Sequence, residues 1–412
     1  MNEALTHSAA LQPLLLVGIM VALGFYAGKS MKYIKLPSII GFMLIGVVLG
    51  PSLFNLLNEE FQHNLSFISD VALSFVAVSI GIELSFSSLK KQGKGIILVI
   101  FTESFMAFLI VTGALYLLTR DIALSLIFGA IAPASAPAGT VAIIQEYKAK
   151  GPLTKALFSV VGFDDGLGII IFGFAAAIAK SFLAAEAGQE TGSLMMLLAG
   201  PLKEVIFSII IGLAIGFLFC LLARKLKSAR DIFILMFATI LISSGISNML
   251  HLSIILTNMV MGIFIVNTQP FSLVEKIHNE LSEFMPLLFV MFFVLAGANL
   301  HVSALPSLGL LGLVYILGRS SGLMGGAALG STLGKLPENI RKYLGMGILS
   351  QAGVAIGLAL IVKNEFAAYG PHGAYIGNTV ITTVTATCIF FEIIGPILTK
   401  IGLEKAGEIR TA

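Results

Sequence analysis

The chain has 412 residues, 57% of them hydrophobic and only 11% charged, against roughly 25% charged in soluble domains. That balance argues against a soluble enzyme or a nucleic-acid-binding domain and for a polytopic membrane protein. The net charge of +3 says little, because in a membrane protein the placement of charge matters more than its sum.

The apolar runs are too long and too uniform for the alternating strands of a barrel, and 43 glycines suit helices that approach closely in lipid. The first run follows Met1 to Gln12, which holds Glu3 but no Lys or Arg, so it reads as a membrane helix and not as a secretory signal. Thirteen segments follow from cuts at charged or Pro/Gly-rich breaks: 13–29, 36–57, 66–89, 95–119, 121–146, 153–180, 201–224, 231–250, 252–268, 282–300, 304–334, 340–363 and 373–400. Twenty of the 25 Lys and Arg then fall in loops on one side. The other side holds Arg120, Lys180, Lys203 and Lys363, and Arg319 lies inside a segment. The positive-inside rule places the N-terminus outside and the C-terminus inside. Cys220 and Cys388 sit within apolar runs and read as buried small side chains without redox work. No cofactor is implied, and no nucleophile, base and orienting group assemble into an enzyme site.

Thirteen divides as six, one and six, which predicts an inverted repeat whose partners lie seven segments apart. Segment five holds Ala132-Pro133-Ala134-Ser135-Ala136-Pro137-Ala138-Gly139, followed by Thr140, and its prolines break the helix ladder. Its partner, segment twelve, holds Ser350-Gln351-Ala352-Gly353. Segment six carries Asp164 and Asp165, and its partner, segment thirteen, carries Glu392. Measured between flanking charges, the two breaks, the acids and Arg319 come to one depth near the membrane midplane. Irregular backbone and ionisable side chains there mark a transport site.

An Asp facing a half-wet cavity can exchange a proton for a metal ion. Asp165 is the candidate for that role and Asp164 the candidate salt-bridge partner of Arg319, although composition does not choose between the two acids. Ser135, Thr140 and freed carbonyls would supply hard oxygen ligands to an alkali cation. Glu83, Glu103 and Glu392 are possible accessory acids, each equally readable as a structural group.

These pieces resemble the monovalent cation:proton antiporters, in the branch of the Kef-type potassium and Nap-type sodium proteins. The matching stretches are Gly81-Ile82-Glu83-Leu84, the broken segment five, Asp164-Asp165, Leu317-Gly318-Arg319, and Gly345-Met346-Gly347 leading into Gln351-Ala352-Gly353-Val354. The resemblance implies a homodimer working by alternating access, with scaffold helices over 13–89 and 231–300, core helices over 95–180 and 304–400, and a linker helix at 201–224. It assigns cation and proton binding to Asp165, and to Asp164 a salt bridge with the basic residue, here Arg319. That residue is usually Lys in this branch. Arg is not deprotonated in proteins, so one proton per cation, carried by Asp165, is expected. Ser135-Ala136 stands where the electroneutral branch has a Thr-Asp pair.

Sodium or potassium and protons are the expected substrates, in a bacterial plasma membrane and in contact with its lipid. Twelve residues follow Lys400, so no cytosolic regulatory domain is expected. Two other readings stand beside antiport: a sodium-coupled organic-acid symporter, which needs donors for a carboxylate at the crossing, and a non-transporting ion sensor, which exchanges no protons.

Overall fold

The structure, a computed structural model, describes residues 13–87, 90, 93–186, 194–226, 228–299 and 309–409. Residues 88–89, 300 and 304–308 of the expected segments lie outside the described residues, as do Lys91, Lys227 and Arg410 of the lysine-rich loops.

Among the described residues the chain is helical throughout, without strands. The helices are α1 (Pro13–Met31), α2 (Ser38–Leu49), α3 (Glu59–Asn64), α4 (Ser66–Glu83), α5 (Lys94–Thr119), α6 (Ile122–Ile131), α7 (Pro137–Glu146), α8 (Pro152–Glu186), α9 (Leu194–Ala223), α10 (Ala229–Met249), α11 (Ile254–Thr268), α12 (Phe271–Ala298), α13 (Gly309–Leu333), α14 (Glu338–Tyr343), α15 (Gly353–Phe366) and α16 (Gly370–Lys405). Nine helical stretches among them are long and apolar enough to cross a membrane, and α2, α6 and α11 are shorter apolar helices. The described helices overlap the expected segments, segments five and twelve as separate helical pieces and segment 36–57 only over Ser38–Leu49. A helix bonds its own backbone, which is what an apolar surround demands.

Local chemistry fixes several ends. The Asp121 carboxylate caps α6 by accepting the Leu124 N–H at 3.0 Å, and the Ser253 hydroxyl caps α11 through Leu256 N–H at 3.2 Å. Helix α6 stops two residues before Pro133, which has no N–H to continue the ladder, and α7 starts at Pro137, a position where the missing donor costs nothing.

The helices pack in two groups. One contains α1, α2, α4 and α9 to α12; the other contains α5 to α8 and α13 to α16. In the second group the most extensive contact is between α5 and α13, and a glycine every fourth residue explains it. Gly318, Gly322, Gly326 and Gly330 lie along one face of α13, and Gly334 follows its last residue. A methyl added at Gly322 would come 2.5 Å from Ala107 Cα, and one at Gly326 would come 2.5 Å from Glu103 Cα. Between the two groups lies a cavity of about 1820 Å³, walled on one side by Phe42, Glu83 and His278 and on the other by Ala142, Glu146 and Phe158. Lys29, Lys32, Lys148, Lys150 and Lys155 also line it, so it opens on the lysine-rich side.

Candidate cation and proton site

The two breaks meet. Between α6 and α7 the chain is irregular from Ala132 to Ala136, and before α15 it is irregular from Ile348 to Ala352. Ala136 N–H donates to Ser350 O at 2.9 Å, one break to the other. Thr140 Oγ1 donates to Gly347 O at 2.7 Å, and Gln351 Nε2 donates to Ile131 O at 3.3 Å and to the Tyr315 hydroxyl at 2.9 Å. Of the expected residues, Pro133 and Ser135 lie in the first break, Pro137 and Thr140 at the start of α7, Ser350 and Gln351 in the second break, and Gly353 opens α15.

Arg319, fully buried on α13, binds both breaks. Its Nε donates to Ala132 O at 2.9 Å and its Nη2 to Ala134 O at 3.0 Å, both in the first break. Nη1 donates to Leu349 O at 2.7 Å and Nη2 also reaches Ser350 O at 3.4 Å, both in the second. The guanidinium stacks over the Phe391 ring at 4.3 Å from its centroid. The expected Asp164–Arg319 salt bridge is therefore not formed. A broken helix frees carbonyls that have no water to bind, and the rigid fork of the guanidinium matches four of them at once.

Asp164 is fully buried and has other partners. Its Oδ2 accepts from Ser135 Oγ at 3.0 Å, and its carboxyl lies near that of Glu103 on α5. Glu103 is also fully buried, and its Oε1 accepts from Ser104 Oγ at 2.6 Å. The other oxygens, Glu103 Oε2 and Asp164 Oδ1, are buried without a hydrogen-bond partner.

Asp165 follows in α8, with its side chain outside the described residues. Glu392 on α16 is buried, and its Oε2 has no partner. Glu83 is half-buried on the cavity wall, 3.5 Å from His278 Nδ1. Its neighbour Gly81 packs against α11: a methyl there would come 2.2 Å from Met259 O.

Sequence reading brought Asp164, Arg319 and both breaks to one depth but left Glu103 among the accessory acids. The signal was present in the four-residue glycine spacing of α13, which marks a face that another helix must approach.

Two crossed broken helices, buried carboxyls with one buried cation, and a cavity entering from one side define a membrane transporter built to carry a small ion. The transmembrane sodium/hydrogen exchanger model matches residues 19–405, and the chain belongs to that family, whose members are transporters and not catalytic enzymes. Among curated proteins it is similar to the ammonium/H(+) antiporter subunit AmhT of Alkalihalophilus pseudofirmus, 22% identical over 358 residues covering 85% of this chain and 83% of that protein. Its fold is similar to that of the sodium proton antiporter MjNhaP1 from Methanocaldococcus jannaschii. The pH 8 structure of that protein gives a TM-score of 0.70 at 18% identity, covering 96% of this chain and 98% of that one. An electron-microscopy structure gives 0.75 at 17% identity, covering 97% and 99%.

Proposed function

We propose that this protein exchanges a monovalent cation, sodium or potassium, for protons by alternating access, with Asp165 binding cation and proton in turn. The observation that carries the reading is the crossing itself, where one arginine holds both helix breaks and the Asp164 and Glu103 carboxyls are buried beside it. The acid next in sequence, Asp165, is left to the substrate. An ion bound there needs oxygen ligands and partial dehydration, which broken-helix carbonyls provide without further charge.

The helix groups suit the remaining roles. The group of α1, α2, α4 and α9 to α12 acts as scaffold and dimer face, α9 doubling as the linker helix between the repeats. The group of α5 to α8 and α13 to α16 acts as the core that moves against it, elevator fashion. On this reading the chain crosses the membrane thirteen times as an inverted repeat, N-terminus out, as a homodimer in the lipid of a bacterial plasma membrane. An organic-acid symporter is disfavoured because the donors of Arg319 are engaged by carbonyls, leaving them no room for a substrate carboxylate.

Proton efflux from acid-loaded proteoliposomes tests the reading. Sodium, potassium and, because of the named relative, ammonium are added in turn, with Asp165→Asn alongside. Dissipation of the gradient in wild type and not in the variant supports antiport through Asp165. No proton movement with any cation would sink it and bring the sensor reading forward. Uptake of net charge during exchange would count against one proton per cation.

A further inference from the structure

The polar links between the two helix groups gather at one corner of the cavity's inner rim. Glu146, the last residue of α7 in the core group, accepts the Ser38 N–H through both carboxylate oxygens, at 3.2 and 3.0 Å. It also accepts from Ser38 Oγ at 2.7 Å. Ser38 opens α2 in the scaffold group, so the carboxylate sits on a helix N-terminus whose first N–H groups have no intrahelical partner. Lys32 Nζ stands 3.9 Å from the same carboxylate. Beside it, Lys400 Nζ of α16 donates to Lys35 O at 2.6 Å and lies over the Tyr147 ring, 5.2 Å from its centroid. Burial, then the Glu146 and Glu404 carboxylates, push the Tyr147 hydroxyl up to about 12, so this ring stays neutral under the lysine.

Away from this corner α2 and α7 meet only slightly, so the Glu146–Ser38 contact is not a by-product of close packing. Both residues line the cavity that opens to the lysine-rich side. We infer that Glu146 and Ser38 form a joint that holds the two helix groups in the inward-open arrangement, and that its opening is a step of the exchange cycle. The inference rests on the antiport reading. A core that carries its site toward the other side must withdraw the end of α7 from the start of α2, and three charge-assisted hydrogen bonds resist that withdrawal.

The test joins the two positions reversibly. Ser38→Cys and Glu146→Cys are introduced with Cys220→Ser and Cys388→Ser, and the protein in proteoliposomes is treated with a short bifunctional methanethiosulfonate. Exchange is expected to fall by about tenfold or more when linked and to return on reduction. Recovery in the same sample shows that the fold survived. Linked protein that exchanges at the unlinked rate overturns the joint.

A second measurement reads the joint without transport. Ser282→Cys, on the cavity wall, is labelled from the cytoplasmic side by a membrane-impermeant maleimide. Adding Glu146→Ala is expected to slow labelling by about threefold or more, because fewer molecules dwell inward-open. Unchanged labelling counts against the joint. Failure of wild-type exchange with a positive labelling result would sink the antiport reading alone.

Discussion

The two helix breaks look equivalent in outline but arise differently. The first is written into the chain: Pro133 ends α6 and Pro137 begins α7, so this break would form in any apolar surround. The second contains no proline from Ile348 to Ala352. Its extended backbone is held from outside, by Arg319 on Leu349 O and Ser350 O, by Ala136 N–H on Ser350 O, and by the close approach of Gly395, where a methyl would meet Ser350 Oγ at 2.3 Å. Their side chains differ as well. Ser135 in the first break donates to Asp164, whereas Ser350 Oγ in the second is buried without a partner. One break is local and faces the acid; the other is tertiary and completes the crossing.

The largest test of that contrast is Arg319→Ala. It strips a donor from four buried carbonyls, of which Ser350 O keeps the Ala136 N–H, and each of the other three costs about 1–3 kcal/mol when left unpaired. Loss of monodisperse folded protein in detergent is expected, with Arg319→Lys only partly restoring it because an ammonium lacks the fork. A fully stable Arg319→Ala protein would show that the second break stands without its clamp.

Next in size is Gly326→Ala on α13, which would press on Glu103 Cα and cost about 1–3 kcal/mol by overpacking. Thermal unfolding should report it. Gly325→Ala is the control, since its methyl meets only Met106 Cε at 3.6 Å, and it should leave stability nearly unchanged.

The smallest effects separate the two breaks directly. Ser135→Ala removes a hydrogen bond to a buried carboxyl, an expected cost of about 1–3 kcal/mol read in the same melts, together with a changed rate of proton efflux. Ser350→Ala removes a hydroxyl without a partner and should fall within about 0.5 kcal/mol of wild type. The reverse order would break the comparison.

Much of the site was legible from the chain alone. Hydropathy located the helical, membrane-crossing character of the chain because lipid tolerates little else, and flanking charges placed Asp164, Arg319 and both breaks at one depth. The side-chain partners were not legible. Opposite charges at one depth suggested an Asp164–Arg319 salt bridge, yet the guanidinium binds carbonyls and the acid meets Glu103.

Sequence by itself determined the helical membrane class, the first break and the placement of buried charge, since each follows from local backbone chemistry and the cost of burying polar groups. Tertiary structure alone decided which groups meet. Glu103 reaches Asp164 because the glycine face of α13 draws α5 inward, and Leu349 O and Ser350 O reach Arg319 because the two breaks cross. Such pairings depend on the register between helices distant in sequence, and neither propensity nor hydropathy encodes that register.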